Sequence, residues 1–167
     1  IKMGHVIDIE VELPHSSLEN ADWADAYQVS VEQEFGFGSA REAGEAIFQA
    51  FPKVTNYLLV LRGIIMAPFG LKGPKHIESI NTDSIGFFPV MRESEKSVTA
   101  GFDDMHLDFR IVVDLGDHAN LQSIKLATII KRHNWIGWAY LATILPFHRW
   151  IIRSALARVK SQRENMK

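Results

Sequence analysis

Residues 137–159, GWAYLATILPFHRWIIRSALARV, are the most apolar part of the chain. A stretch this apolar must cross a membrane, close a core or wall a cavity. From Trp135 to Phe147 thirteen residues pass without a charge, whereas a spanning helix needs about twenty. His148 and Arg149 fall inside any extension. At roughly 100° per residue, Leu141, Leu145, Ile152, Leu156 and Val159 share one side, with Ile144 and Ile151 beside them. Arg149, Arg153, Lys160 and Lys167 gather on another. The pattern predicts an amphipathic helix with a broad buried stripe, kinked where Pro146 removes a backbone donor, and no transmembrane segment. Such a stripe needs a layer to lie on.

The rest of the chain supplies strands. Val6, Ile9 and Val11 lie in a strand-like opening that ends at Pro14. DAYQVSVEQEF, 25–35, reads as a strand with Tyr27, Val29 and Val31 on one face. After FGFGS, Ser39 stands where an N-cap belongs, with Glu42 at capping-box spacing. The helix SAREAGEAIFQAF follows, then a second helical stretch, KVTNYLLVLRGIIMAPF (53–69), apolar on most sides. A meander of antiparallel strands comes next. It runs through SIGFFPVMRES (84–94), SVTAGF (97–102), MHLDFRIVVDL (105–115) and LQSIKLATIIKRH (121–133), with turns at Glu95–Lys96 and at GDHAN (116–120). Pro89 points to an edge or a bulge, and Asn134 to the N-cap of the last helix.

Length and composition describe one domain, 1–167, with a basic tail at 159–167. The chain has 167 residues, 47% hydrophobic and 23% charged, the balance of a soluble globular protein. It has no cysteine, which excludes disulfides, thiol nucleophiles, iron–sulfur clusters and zinc ribbons. A cytoplasmic location is expected. Residues 1–50 carry ten acids and two bases, and residues 131–167 eight bases and one acid. Either the tail seeks phosphate or an anionic membrane surface, or the two ends face each other or are simply solvated. The sequence pI near 6.4 argues against a nucleic-acid binder. The start, IKMGHVIDIEVELP, alternates polar and apolar residues and does not read as a signal peptide. Ile1 leaves the true N-terminus open.

SIGFFPV (84–90), GFDDMHLDFR (101–110) and TIIKRHNWIGWAYLATILPFHRWIIRSAL (128–156) together resemble the bacterial domain-of-unknown-function family 2867. The resemblance runs from about residue 12 to about residue 158. It implies no established activity. Related domains follow NAD(P)-binding domains in longer proteins, which implies an NAD(P)-binding redox partner as one association. A homodimer is another. The element order also resembles the helix-grip fold of START-like and polyketide-cyclase proteins. The expected class is therefore α+β: a curved antiparallel sheet gripping a long C-terminal helix, with two helices inserted after an N-terminal strand. The chain departs from that pattern in reading as fewer than the usual seven strands.

The densest polar group is Asp103, Asp104, His106, Asp108 and Arg110. In a strand, His106, Asp108 and Arg110 point to one side, and Leu107, Phe109 and Ile111 to the other. His106 beside Asp108 suits an oriented general base. Arg110 suits bidentate binding of a carboxylate or phosphate, and Arg110→Ala would then weaken an anionic ligand with the fold intact. A solvated strand face with a local Asp108–Arg110 bridge explains the same residues. His106, Asp108 and Asp104 are metal-ligand types, but no HxxxH or HExxH is present, so no metal and no cofactor are expected. His133 suits a packed or capping role. His148 and Arg149, beside Pro146, suit either packing or a cavity mouth.

The first reading is a binder of a small apolar or amphipathic molecule, held between the sheet and the C-terminal helix. Phe88, Phe109, Trp138, Leu141 and Leu145 would be its walls. Asp104, His106, Asp108, Arg110, His148 and Arg149 would be its polar contacts. The second is an enzyme of the same fold using His106 and Asp108. The third is an accessory module with a filled core.

Overall fold

In the computed structural model, residues 5–56, Gly63 and 83–166 are described. Seven strands form one antiparallel sheet in the order β1-β2-β7-β6-β5-β4-β3. They are β1 Ile7–Ile9, β2 Trp23–Glu32, β3 Ser84–Ile85, β4 Phe88–Glu93, β5 Ser97–Asp103, β6 Leu107–His118 and β7 Leu121–Arg132. Helix α1, Ala40–Gln49, follows β2, and helix α2, Trp135–Glu164, closes the chain. This is the expected α+β architecture of a curved sheet against a long C-terminal helix. The second inserted helical stretch, 53–69, lies largely outside the described residues.

The strand count corrects the sequence reading. The single strand expected at 84–94 is two, because the chain reverses at Gly86–Phe87. Gly86 has φ 59°, a left-handed conformation that costs glycine little. A Cβ there would also meet the Phe48 ring at 2.6 Å. The loop expected at 116–120 is shorter than read. β6 continues to His118, and Ala119, at φ 52°, and Asn120 make the turn into β7. Pro89 sits opposite Ser84 of the two-residue β3, just before a register shift between Val90 and Arg92. A short edge partner and a bulge are the places where a strand tolerates a missing donor.

Both expected helix caps are present. The Ser39 hydroxyl accepts from the Glu42 backbone N–H, and the Glu42 carboxylate accepts from the Gly38 N–H. The Asn134 side-chain oxygen accepts from Ile136 and Gly137. Helix α2 continues through Pro146.

The main core lies on the helix-covered, inner face of the sheet. Val29 and Val31 of β2, Ile111, Val113 and Leu115 of β6, and Ile124 and Leu126 of β7 meet Ala43 and Ile47 of α1. Ile152, Ala155, Leu156 and Val159 of α2 complete it. A thinner apolar layer covers the outer face. There, Ala26, Val112, Ala127 and Ile129 lie under Ile9, Val11, Leu18 and Ala21 of the N-terminal segment. The central strands β6 and β7 are thus covered on both sides, which explains their runs RIVV and LATII.

The charge asymmetry resolves into pairing between the two ends of the chain. Arg153 meets Asp8, Arg163 meets Glu42, Arg132 meets Asp22 and His148 meets Asp25. Lys160, from the basic side of the helix, is half-buried and donates to the Ser30 carbonyl at 2.8 Å. Lys167 is outside the described residues.

Candidate functional site

β2 carries an irregular inner face. Its alternate residues Trp23, Asp25, Tyr27, Val29 and Val31 point toward α2, so one acid stands in an apolar row. A carboxylate in that setting is costly unless hydrogen bonds replace its water. Asp25 has two partners. Its Oδ2 accepts from the Tyr27 hydroxyl at 3.1 Å, and its Oδ1 lies 3.2 Å from His148 Nε2. The side chains of Asp25 and His148 are each 15% exposed. Trp23 sets its ring edge-on to the imidazole, with centroids 6.1 Å apart.

The surroundings of Tyr27 act on its acidity. Burial raises its pKa most, and the nearby Asp25 charge and hydrogen bond add to this, while Arg149 opposes. The Arg153 guanidinium lies 5.2 Å from the Tyr27 ring centre and also pairs with Asp8. Two hydrogen-bonding rings thus share one carboxylate at the seam between β2 and α2. His148 Nδ1 makes no hydrogen bond among the described residues.

An aromatic wall extends from this seam across the inner face. Phe88 of β4 contacts Phe109 of β6 with centroids 5.0 Å apart, and stacks on Phe102 of β5 at 5.9 Å. Phe102, Phe109, Tyr140, Ile144, Leu145 and Trp23 are half-buried around Leu107, Ile130 and Leu141. Half-buried aromatics on an inner face are surface that a ligand could cover.

The sequence-derived candidates divide among several places. Phe88, Phe109, Leu141, Leu145 and His148 lie on the inner face. Asp108 and Arg110 are on the outer face, because side chains alternate and β6 turns its odd-numbered residues toward the helices. Asp108 does not bridge to Arg110. Its Oδ1 lies 3.0 Å from His133 Nε2. Asp104 and His106 belong to the turn between β5 and β6. Asp104 accepts from the His106 N–H at 3.4 Å, and the His106 ring meets the Asn134 side chain. His106 and Asp108 therefore engage different partners. Trp138 points outward, 54% exposed, beneath the Arg132 guanidinium at 3.4 Å. Arg149 is exposed.

Arg110 is buried and committed. Its Nη1 donates to Asp103, to the Phe102 carbonyl and to the Phe109 carbonyl, at 2.7, 3.2 and 3.0 Å. It also borders a shallow hollow of about 330 Å³ on the outer face, with His15, Ser17, Arg92, Thr99 and Asp114. No group of three or more His, Asp or Glu residues among those described could hold a metal ion. Among the described residues, no helix is long and apolar enough to cross a membrane.

Asp25 and Trp23 are not among the candidates that the sequence suggests. The available signal was parity, since Asp25 falls on the same alternate positions as Tyr27, Val29 and Val31. Neither a curated protein nor a solved structure matches the chain. The family model described as Protein of unknown function (DUF2867) matches residues 17–155, a span that holds β2 to β7, α1 and the first two thirds of α2. The chain belongs to the DUF2867 family.

Proposed function

We propose that this protein binds a small, largely apolar molecule with one hydroxyl or carbonyl end, on the inner face of the sheet under the first half of α2. What carries the reading is Asp25. Placed in an apolar row, it is held by Tyr27 and His148, an arrangement that packing alone does not require. The apolar body would lie along Phe88, Phe102, Phe109 and Leu145. The polar end would meet the free lone pair of the Tyr27 hydroxyl and Nδ1 of His148.

Acid–base chemistry on that ligand is a second reading, favoured by the same contact. A carboxylate on one ring nitrogen of a histidine fixes the tautomer and leaves the other nitrogen to take a proton. In this reading the base is His148 oriented by Asp25, rather than His106 with Asp108.

Native mass spectrometry of the purified chain, set against its mass after denaturation, tests the binding proposal. An added mass that leaves on unfolding is expected, with lower occupancy in His148→Ala and Tyr27→Phe. Full occupancy in both variants moves the ligand elsewhere, and no added mass in the purified chain counts against a retained ligand.

A further inference from the structure

Helix α2 has a second apolar face, pointing away from the sheet. Trp135 is 71% exposed, Trp138 54%, Phe147 52% and Trp150 51%. Ala139, Ala142 and Pro146 are exposed between them, and Met105 lies bare beside the helix N-terminus at 66%. Trp135, Ala139, Ala142, Pro146 and Trp150 follow helical spacing and form one stripe. The four aromatic rings alone leave roughly 500 Å² uncovered, at about 150–250 Å² per ring. A monomer seldom leaves a patch of this size without a use for it.

The order of the side chains along the stripe indicates what covers it. Trp135 and Trp150 are equidistant from the midpoint between Ala142 and Thr143. So are Trp138 and Phe147, and Ala139 and Pro146. A helix with this pattern is its own partner when reversed, since Trp135 then faces Trp150 and Ala139 faces Pro146 of the other copy, with Trp138 and Phe147 on opposite flanks of the stripe. The small side chains of Ala139, Ala142 and Thr143 fall at the crossing, where the separation of two packed helices is set by what stands between them. An interface around a two-fold axis requires this self-complementarity. The area agrees. Doubled by symmetry, the rings alone supply roughly 1,000 Å², the lower limit for a specific interface. Tryptophan, phenylalanine, methionine and arginine are the side chains that such interfaces favour.

An anionic bilayer would need unpaired cations around the aromatic face. Here they are largely committed. Lys131 and Arg132 pair with Asp22, and Arg153 with Asp8. Among the described residues, Arg149 is the cation on this face without an ion pair. We infer that the outward face of α2, from Trp135 to Trp150, docks on the same face of a second copy of this chain in an antiparallel helix pair.

Sedimentation velocity of the full chain across a concentration series tests this. A particle of twice 18.9 kDa is expected, and Ala142→Arg should abolish it by placing bulk and like charges across the axis. Ala142 is exposed and arginine is a good helix former, so the circular dichroism and melting temperature of the variant should match the parent. The chain has no cysteine, which makes a second test clean. Thr143→Cys should cross-link to itself on oxidation, and Ser161→Cys, further along α2, should not. A monomer at all concentrations overturns the inference. So does a dimer that survives Ala142→Arg without a Thr143→Cys cross-link. Monomeric binding to vesicles containing phosphatidylserine, lost in Trp135→Ala and Trp150→Ala, would assign the face to lipid and also overturn it.

Discussion

Asp25 Oδ1 lies 3.2 Å from His148 Nε2, a contact between positions 123 residues apart that ties β2 to the middle of α2. It sits just past Pro146, where the helix lacks one backbone donor. Asp25 also accepts from Tyr27, so loss of this carboxylate strands two groups at once.

Asp25→Ala should therefore lower stability by about 1–3 kcal/mol, the usual cost of leaving buried polar groups unpaired. Asp25→Asn should cost less, because its amide oxygen still accepts one hydrogen bond. Urea unfolding followed by circular dichroism measures both. If Asp25→Ala unfolds at the parent midpoint, the shared carboxylate contributes nothing to stability.

Tyr27 should ionise above its ordinary value of 10.0, chiefly because it is buried and then because Asp25 is near. The sign follows from linkage. The unfolded chain releases this proton first, so the native state is at full relative strength below pH 10.0 and loses stability as pH rises through the folded-state pKa. Unfolding free energy measured at a series of alkaline pH values should fall for the parent. Tyr27→Phe should show a shallower fall.

Gly137→Ala should destabilise, although alanine is worth about 1 kcal/mol more than glycine inside a helix. The added Cβ would meet the His106 backbone oxygen at 2.3 Å, and a backbone atom cannot swing aside. The helix start or the β5–β6 turn must move, which costs about 1–3 kcal/mol for overpacking. A raised melting temperature in this variant would show that the close approach is not needed.

Gln122 is 2% exposed and pairs with both backbone groups of Phe37. It accepts from the N–H at 2.7 Å and donates to the carbonyl at 3.0 Å. Gln122→Ala should cost about 2 kcal/mol or more, since both groups stay buried without their partner. Hydrogen exchange at the Phe37 amide should quicken in the variant. Unchanged protection would mean that another acceptor takes over.

Arg110→Ala should lower stability by about 1–3 kcal/mol, because three oxygens between β5 and β6 lose their shared donor. This differs from the sequence expectation that the fold would not notice. A thermal melt decides between the two, and a melting temperature equal to that of the parent would return Arg110 to the role of a dispensable surface anchor.

Local order was legible in the sequence wherever a few neighbouring residues settle it. The Ser39 and Asn134 caps depend on a side chain and on amides two or three positions away. The buried stripe Leu141, Ile152, Leu156, Val159 depends on helical period, and the opposite pointing of Phe109 and Arg110 on strand period. The family blocks between residues 17 and 155 are likewise a property of the string.

Only the tertiary structure decided which side of β6 is the inside. Period-two alternation separates two faces but does not say which one a helix will cover. That choice divided the polar group of 104–110 between a turn and the outer face, and passed the inner face to Asp25, Tyr27 and His148. Their meeting depends on β2 pairing with β7 and on where α2 crosses the sheet, contacts between distant segments that no local pattern encodes. The second, outward stripe of α2 was hidden for the same reason. Trp135, Phe147 and Trp150 stand in one apolar run of the sequence, and only the structure shows that the sheet covers the other side of the helix.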